Sequence, residues 1–455
     1  MICALAFGCG GPPDLRPNLI LVTLDTFRAD RLGERTPHLM ALAAEAARFE
    51  NAVTPIGTTH PAHASLFTGR YPGGHAVRFN GDRLAGEQVT LAERLRAAGY
   101  ETAGFVAKRS LFVRGGFEQG FDTASDQPGD WSDQDSRLRD GDEVNRLVER
   151  FLLNRGSRSR RPVFLWTHYF DAHSPYRLTP YAERRLKDDA GPLARGASTE
   201  LFYAYGSEQV PATDANREAL AALYDGEVAE VDRQVGELLA LLRRQGLLEN
   251  AVVIVAGDHG QLLGEHGLVG HGGKLFEPVL RIPLLIWESN RRRAIDIKER
   301  VSLIDLLPTV LEVADLPPDS PAPGRSLGPG LRGERLPPAD HFAGVRRPKL
   351  ADRKGDGSAS AERCAVAVYH GALKFILDEG DEEDEEDEDG EQLFDLKIDP
   401  LEQNDLSKKA ELQSILGRLR PLALLHRARE RPDDSEPLEL PGDVLDELRQ
   451  FGYLD

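Results

Sequence analysis

Asn18-Leu-Ile-Leu-Val-Thr-Leu24 runs straight into Asp25. Two later stretches have the same build. Val163-Phe-Leu-Trp-Thr-His-Tyr-Phe170 ends at Asp171, and Ala251-Val-Val-Ile-Val-Ala-Gly257 ends at Asp258 and His259. Short apolar runs of this kind read as strands buried on both faces. Between the last two lies an amphipathic stretch, Asn216 to Gln245. Its residues Leu220, Tyr224, Val228, Val231, Val235, Leu238 and Leu242 recur every three or four positions, one continuous helical stripe. Strands alternating with helices predict an α/β fold: a large, mostly parallel sheet with helices on both faces. Ligands of such sheets sit beyond the carboxyl ends of the strands. This chain carries an aspartate to that edge from three strands.

The chain has 455 residues, 40% hydrophobic and 29% charged, which excludes a disordered or fibrous protein and leaves ample material for a core. No apolar run approaches the ~18–20 residues of a membrane helix. Net charge is −19, but Asp378, Glu379, the nine residues Asp381 to Asp389 and Glu391 carry twelve of those charges with no base between, leaving −7. No basic stripe rises above this background, so nucleic acid is not an expected partner. The acidic run is expected to be a solvated loop.

Three units are read along the chain: a leader-like segment at 1–15, a catalytic α/β domain at 16–340 and a C-terminal subdomain at 341–455. The leader-like segment contains Ala6-Phe-Gly-Cys9, similar to a weak bacterial lipobox. Export to the bacterial periplasm or cell envelope is expected, with membrane attachment through a lipid on Cys9; the alternative is an apolar N-terminus of no consequence. Cys364 would then be alone in the mature body, without a disulfide partner. After the Pro/Gly/Arg-rich stretch Gly333–Ala361, three strands are expected at Ala365–Tyr369, Ala372–Ile376 and Gln392–Leu396. They would form a small antiparallel sheet, with the acidic run as a hairpin insertion. Helices are expected at Lys408–Arg429 and Asp443–Phe451.

Eight of the twelve histidines fall in three windows, 60–75, 168–173 and 259–271, which together make up less than a tenth of the chain. The first window holds Thr59-His60-Pro61-Ala62-His63-Ala64-Ser65. Thr-x-Pro is an ordinary helix start with Thr as the cap. The same geometry also sets a hydroxyl at a helix N-terminus, where an anion is favoured. A metal would have to lower its pKa before it attacked at neutral pH. Asp171-Ala-His173 reads either as a turn or as a site element. Adjacent Asp258 and His259 on a glycine-flanked turn suit a divalent metal.

These elements together resemble the sulfatase family of the alkaline phosphatase superfamily. The matching stretches occur in family order: Arg16 to Asp30, Thr36-Pro-His-Leu, Phe49-Glu-Asn-Ala52, Thr59-x-Pro61-x-His63-x-Ser65, and Gly257-Asp-His-Gly-Gln-Leu-Leu-Gly-Glu-His-Gly267. They continue with Leu280-Arg-Ile-Pro283, Val301-Ser-Leu-Ile-Asp305, Gly324-Arg-Ser-Leu327, Leu393-Phe-Asp-Leu396 and Asp399-Pro-Leu-Glu-Gln-Asn404. The resemblance implies an alkaline phosphatase-like fold and a hydrolase of phosphoric or sulfuric esters. Formylglycine-type sulfatases place Cys or Ser where this chain has Thr59, and Arg where it has His63. Threonine cannot become a formylglycine aldehyde, because its Cβ already carries a methyl. Thr-x-Pro-x-His is instead similar to the nucleotide pyrophosphatase/phosphodiesterase branch, which uses a threonine nucleophile. Thr26 replaces a second aspartate, His259 an asparagine and His271 a lysine. The added histidines favour zinc or manganese over calcium.

The resemblance thus implies that Asp25, Thr59, Asp258 and His259 hold a divalent ion. Thr59 would be the nucleophile of a covalent mechanism and His173 a second catalytic group. His63, Asp171 and His271 would bind substrate or a second ion. The expected substrate is a small-molecule, glycan or lipid ester of phosphate, or a phosphodiester. Sulfate ester hydrolysis is the first alternative; a phospho-group transferase or a non-catalytic anion- or sugar-binding relative is the second.

Overall fold

The computed structural model describes residues 16–125, 139–155, 161–187, 190–291, 293–318, 322–348, 362–378 and 390–430. The lipobox-like segment, the acidic run Asp381–Asp389 and the helix expected at Asp443–Phe451 lie outside these residues. Eight strands form the main sheet: β1 (Asn18–Leu24), β2 (Ala46–Phe49), β3 (Glu101–Val106), β4 (Thr123–Ala124), β5 (Val163–Tyr169), β6 (Ala251–Gly257), β7 (Leu284–Glu288) and β8 (Ile295–Ile297). Their spatial order is β8-β2-β7-β6-β1-β5-β3-β4. Only β7 runs against the rest.

The three apolar runs are β1, β5 and β6, and they lie side by side at the centre. Every residue of β5 and β6 is buried. Coverage on both faces is why these strands read as continuous apolar runs. Ile20, Val22 and Leu24 of β1 face one core, while Leu19 and Leu21 face the other. The short helix α1 (Thr59–Thr68) lies on the second face, buried at all ten positions. The 31-residue α2 (Asp214–Arg244) covers the first. All seven stripe residues of α2 are buried, and the Thr213 hydroxyl accepts from the Asn216 amide to cap it.

A four-residue helix, α3 (Glu277–Leu280), joins the body to a second sheet. That sheet comprises β9 (His341–Pro348), β10 (Glu362–His370), β11 (Leu373–Asp378) and β12 (Gly390–Asp395), all antiparallel in that order. One face packs under α4 (Gln413–Glu430) through Leu416, Leu419 and Leu422; the other meets Val53, Leu262, Val279 and Leu280 of the body. Strand β9 lies within the Pro/Gly/Arg-rich stretch 333–361 and adds a fourth strand to the three expected after it. Among the described residues it pairs with β10 alone, and an edge strand tolerates a proline at its end. The last β11–β12 pair, Asp378 with Gly390, brackets the acidic run. Cys364 is buried. Among the described residues no helix is long and apolar enough to cross a membrane.

Candidate metal centre and nucleophile

Register carries the site residues to one level. Leu24 of β1 stands opposite both Tyr169 of β5 and Gly257 of β6. The Asp258 amide then donates to the Leu24 carbonyl (3.1 Å) and the Asp25 amide to that of Tyr169 (2.9 Å), extending the ladder one residue past the strands. Donor atoms of Asp25, Asp258 and His259 consequently lie within 4.8 Å of one another, on residues at most 1% exposed.

The hydrogen bonds around these groups leave a defined set of atoms unused. Asp258 Oδ1 accepts from the amides of Thr26 (3.1 Å) and His259 (2.7 Å). Thr26 reaches it with a φ of 52°, a left-handed conformation uncommon for a β-branched residue. Tyr224 of α2 holds that turn by donating to the Thr26 carbonyl (2.7 Å). His259 Nδ1 faces the Gly260 carbonyl at 3.0 Å, so the hydrogen is assigned there and Nε2 presents its lone pair. Asp25 Oδ1, Asp258 Oδ2 and His259 Nε2 are buried without a hydrogen-bond partner. Buried polar atoms are seldom left so. Three convergent electron-pair donors, two oxygens and an imidazole nitrogen, fit a divalent cation.

Electrostatics agree with that fit. Burial would raise Asp25, but His168, His173, Lys108 and His259 outweigh it and hold the carboxylate well below its usual range. Burial and the charge of Asp25 push Asp258 well above it. Burial lowers His259 to about 4, takes His63 and His271 well down and also lowers His173. All four imidazoles are therefore neutral at neutral pH, the ligating form.

Thr59 is the first residue of α1, behind Thr58 at the cap position, whose side chain makes no capping bond. The Thr59 hydroxyl does not cap the helix either. It donates to Asp25 Oδ2 at 3.2 Å. His271 and His173 stand beside this group. Their Nδ1 atoms face the carbonyls of Gly57 (2.8 Å) and Ser174 (2.6 Å), leaving two Nε2 lone pairs 3.4 Å apart. The His271 ring centre lies 4.3 Å from that of His259.

His63 and Asp171, expected to bind substrate or a second ion, are placed otherwise. His63 Nδ1 meets the Thr59 carbonyl (2.8 Å) and Nε2 the Thr23 hydroxyl (3.1 Å), so both nitrogens are occupied beneath the site. Asp171 lies one residue beyond the level of Asp25. Its oxygens accept from the Gly141 amide (3.0 Å) and the Gln234 side chain (2.9 Å), and burial raises it to about 6. Two other residues come in that sequence reasoning did not assign. His168 Nε2 lies 3.5 Å from Asp25 Oδ2, while its Nδ1 shares the Thr23 hydroxyl (3.0 Å) with Trp166 Nε1 (2.9 Å). Lys108, just past β3, packs over the Phe170 ring at 4.7 Å, and its charge reaches Asp25, His173 and His259.

The sulfatase family matches residues 17–316, two thirds of the chain and all of the elements just described except the C-terminal sheet and α4. The chain belongs to the sulfatase family. With that membership it is a hydrolase of sulfuric or phosphoric esters. It is 27% identical to the multifunctional alkaline phosphatase superfamily protein PehA of Trinickia caryophylli, over 86% of this chain and 91% of that one. It is 26% identical to a choline-sulfatase of Rhizobium meliloti, over 86% and 83%. Among solved structures, the phosphonate monoester hydrolase of Agrobacterium radiobacter superposes with a TM-score of 0.69 at 20% identity, covering 91% of this chain and 96% of its own. The alkaline phosphatase-like architecture is thus shared.

Proposed function

We propose that this sulfatase-family hydrolase cleaves phosphate monoesters or diesters through a covalent phospho-Thr59 intermediate. The observation that carries the reading is the Thr59 hydroxyl, at a helix start but bonded to Asp25 rather than to the backbone. Asp25, Asp258, His259 and Thr59 would hold one divalent ion, zinc or manganese in preference to calcium. When bound it supplies positive charge that lowers the hydroxyl pKa and neutralises the transferred group.

The chain's own part is positional. Asp25 Oδ2 orients the Thr59 oxygen and receives its hydrogen bond. Thr59 Oγ forms a bond to phosphorus as the bond to the leaving oxygen breaks. His173 and His271 are neutral, so their facing Nε2 atoms take the proton that Thr59 gives up and deliver it to that leaving oxygen. Water then releases the group from Thr59. Lys108 adds a fixed positive charge toward the substrate anion.

A sulfate ester is the second reading, supported by the choline-sulfatase relative. Purified protein loaded with zinc or manganese, tested on aryl phosphate, phosphodiester, phosphonate and sulfate esters, separates the two. Turnover confined to the sulfate ester would overturn the phosphoryl assignment. We also read Cys9 as the lipid-bearing residue of an exported protein. Membrane partitioning of the natively expressed chain should be lost in Cys9→Ser; equal solubility of both forms would refute it.

A further inference from the structure

A second buried charge cluster lies where the C-terminal sheet meets the body. Lys374 of β11 is 0% exposed, and its ammonium is 3.1 Å from Glu277 Oε1 and 2.6 Å from Glu402 Oε1. The other Glu402 oxygen accepts from the Glu277 amide at 2.6 Å. Tyr369 of β10 donates to Glu277 Oε1 (2.7 Å), and the Arg300 guanidinium covers the Tyr369 ring at 4.4 Å. Glu402 holds this position with a φ of 56°, a strained conformation for a residue with a Cβ.

Glu277 opens α3, and the far side of α3 belongs to the metal centre. The Pro278 carbonyl accepts from the Gln261 amide (2.8 Å), that of Val279 from Gly260 (2.7 Å) and that of Leu280 from Thr54 (2.9 Å). Gly260 and Gln261 directly follow His259, and Thr54 begins the segment that leads to Thr59. Gly57, whose carbonyl holds His271, fits so closely that a Cβ there would sit 2.5 Å from Val279 Cγ1. One short helix therefore touches the backbone just after His259 and, at Thr54 and Gly57, the segment that leads to Thr59 and holds His271. Its first amide is held by a side chain of the C-terminal subdomain.

We propose that Glu402 is a positioning residue for the metal centre: by accepting from the Glu277 amide it sets α3, and through α3 the main-chain course beside His259 and Thr59. This rests on reading Asp25, Asp258 and His259 as the ligands. Stability alone is a poor reason for the arrangement, since buried ion pairs seldom outperform apolar packing. Burial, and the nearby charge of Glu277, push Glu402 up to about 7 despite Lys374. A group so costly to ionise suits a position that requires its hydrogen-bond geometry. Groups that support metal ligands from outside commonly shift affinity by about 10–100-fold.

The test is calorimetric titration of zinc and of manganese into metal-stripped full-length protein, with melting temperature and kinetics measured alongside. Glu402→Ala should weaken binding about tenfold and lower kcat with little change in KM. Glu402→Gln keeps an acceptor for the amide and should stay within about threefold of wild type by the same reasoning. Leu419→Ala, in α4 where it packs on the opposite face of the sheet, should lower the melting temperature without moving affinity. The proposal is overturned if Glu402→Ala binds like wild type, if Gln fails as badly as Ala, or if Leu419→Ala weakens binding equally. Should wild type bind neither ion, the ligand assignment itself fails and this inference falls with it.

Discussion

Two groups of buried carboxylates occupy one molecule and are neutralised in different ways. At the seam between sheet and body, Glu277 and Glu402 enclose the Lys374 ammonium, with Arg300 nearby. At the sheet edge, Asp25 and Asp258 are as deeply buried, yet the atoms that converge with them are lone pairs: Asp258 Oδ2, His259 Nε2 and Asp25 Oδ1. Burying an unpaired carboxylate is costly. The chain builds its own cation into the first cluster; to the second it brings electron-pair donors, with Lys108 acting on Asp25 only through its charge. The difference separates a cluster at the contact of the C-terminal sheet with the body from one whose donor set fits an ion.

Activity should break along this line first. Thr59→Ala should lower turnover by about 10³-fold or more, the scale on which loss of a nucleophile is felt. Its melting temperature should change by no more than one lost hydrogen bond, about 1 kcal/mol, implies. Thr59→Ser should keep part of the rate, because the hydroxyl remains. Steady-state kinetics and thermal melts on the same preparations decide this. Wild-type turnover in Thr59→Ala would transfer the attack to water.

Metal removal sharpens the contrast. Asp258→Asn should lose metal in elemental analysis. The metal-free variant, however, should melt above metal-free wild type. Burial and Asp25 raise the Asp258 pKa in the folded state above its unfolded value. Its contribution to stability is therefore fully present only below the usual carboxylate pKa and is lost as pH rises through the folded value. Asparagine does not ionise, so the gap between variant and wild type should widen from pH 4 upward. Saturating metal should reverse the order, since an ion bound at 100 times its Kd stabilises wild type by about 2.7 kcal/mol. Lys374→Met tests the other cluster. It leaves two buried carboxylates without their ammonium, and about 3–5 kcal/mol of stability should go. Denaturant melts that show no loss would mean that the cation at the seam is dispensable.

The same contrast explains what could be read before the fold was known. β1, β5 and β6 were legible because double burial makes a strand uniformly apolar, and Asp25, Asp258 and His259 because they end such strands. Asp171 has the same local signature but sits one residue beyond the shared level, a register difference that no single strand reveals. His168 was concealed inside the apolar run of β5, where it reads as core, and Lys108 is a lone cation beyond a strand that carries no motif. β9 was missed because an edge strand needs only one partner and admits arginine and proline. Glu277, Lys374 and Glu402 are scattered over more than a hundred residues, and only the packing of the C-terminal sheet on α3 brings them together.

A third set of carboxylates extends the comparison to its limit. Asp381 to Asp389 carry nine like charges between β11 and β12, with neither a built-in cation nor a convergent set of imidazoles in the sequence around them. From sequence alone such a run is expected to stay in water, because like charges repel and cannot be buried without partners. Replacing Asp381–Asp389 with a short Gly/Ser turn should therefore leave kcat/KM within about twofold, the range of a surface change of under 0.5 kcal/mol. Melting temperature should hold or rise slightly at low salt, where relief of repulsion is felt most, and the difference should shrink as salt screens it. A steep fall in melting temperature would place this run with the seam cluster, as carboxylates paired to basic groups of the folded chain. A fall in metal affinity at unchanged stability would place it with the sheet edge instead.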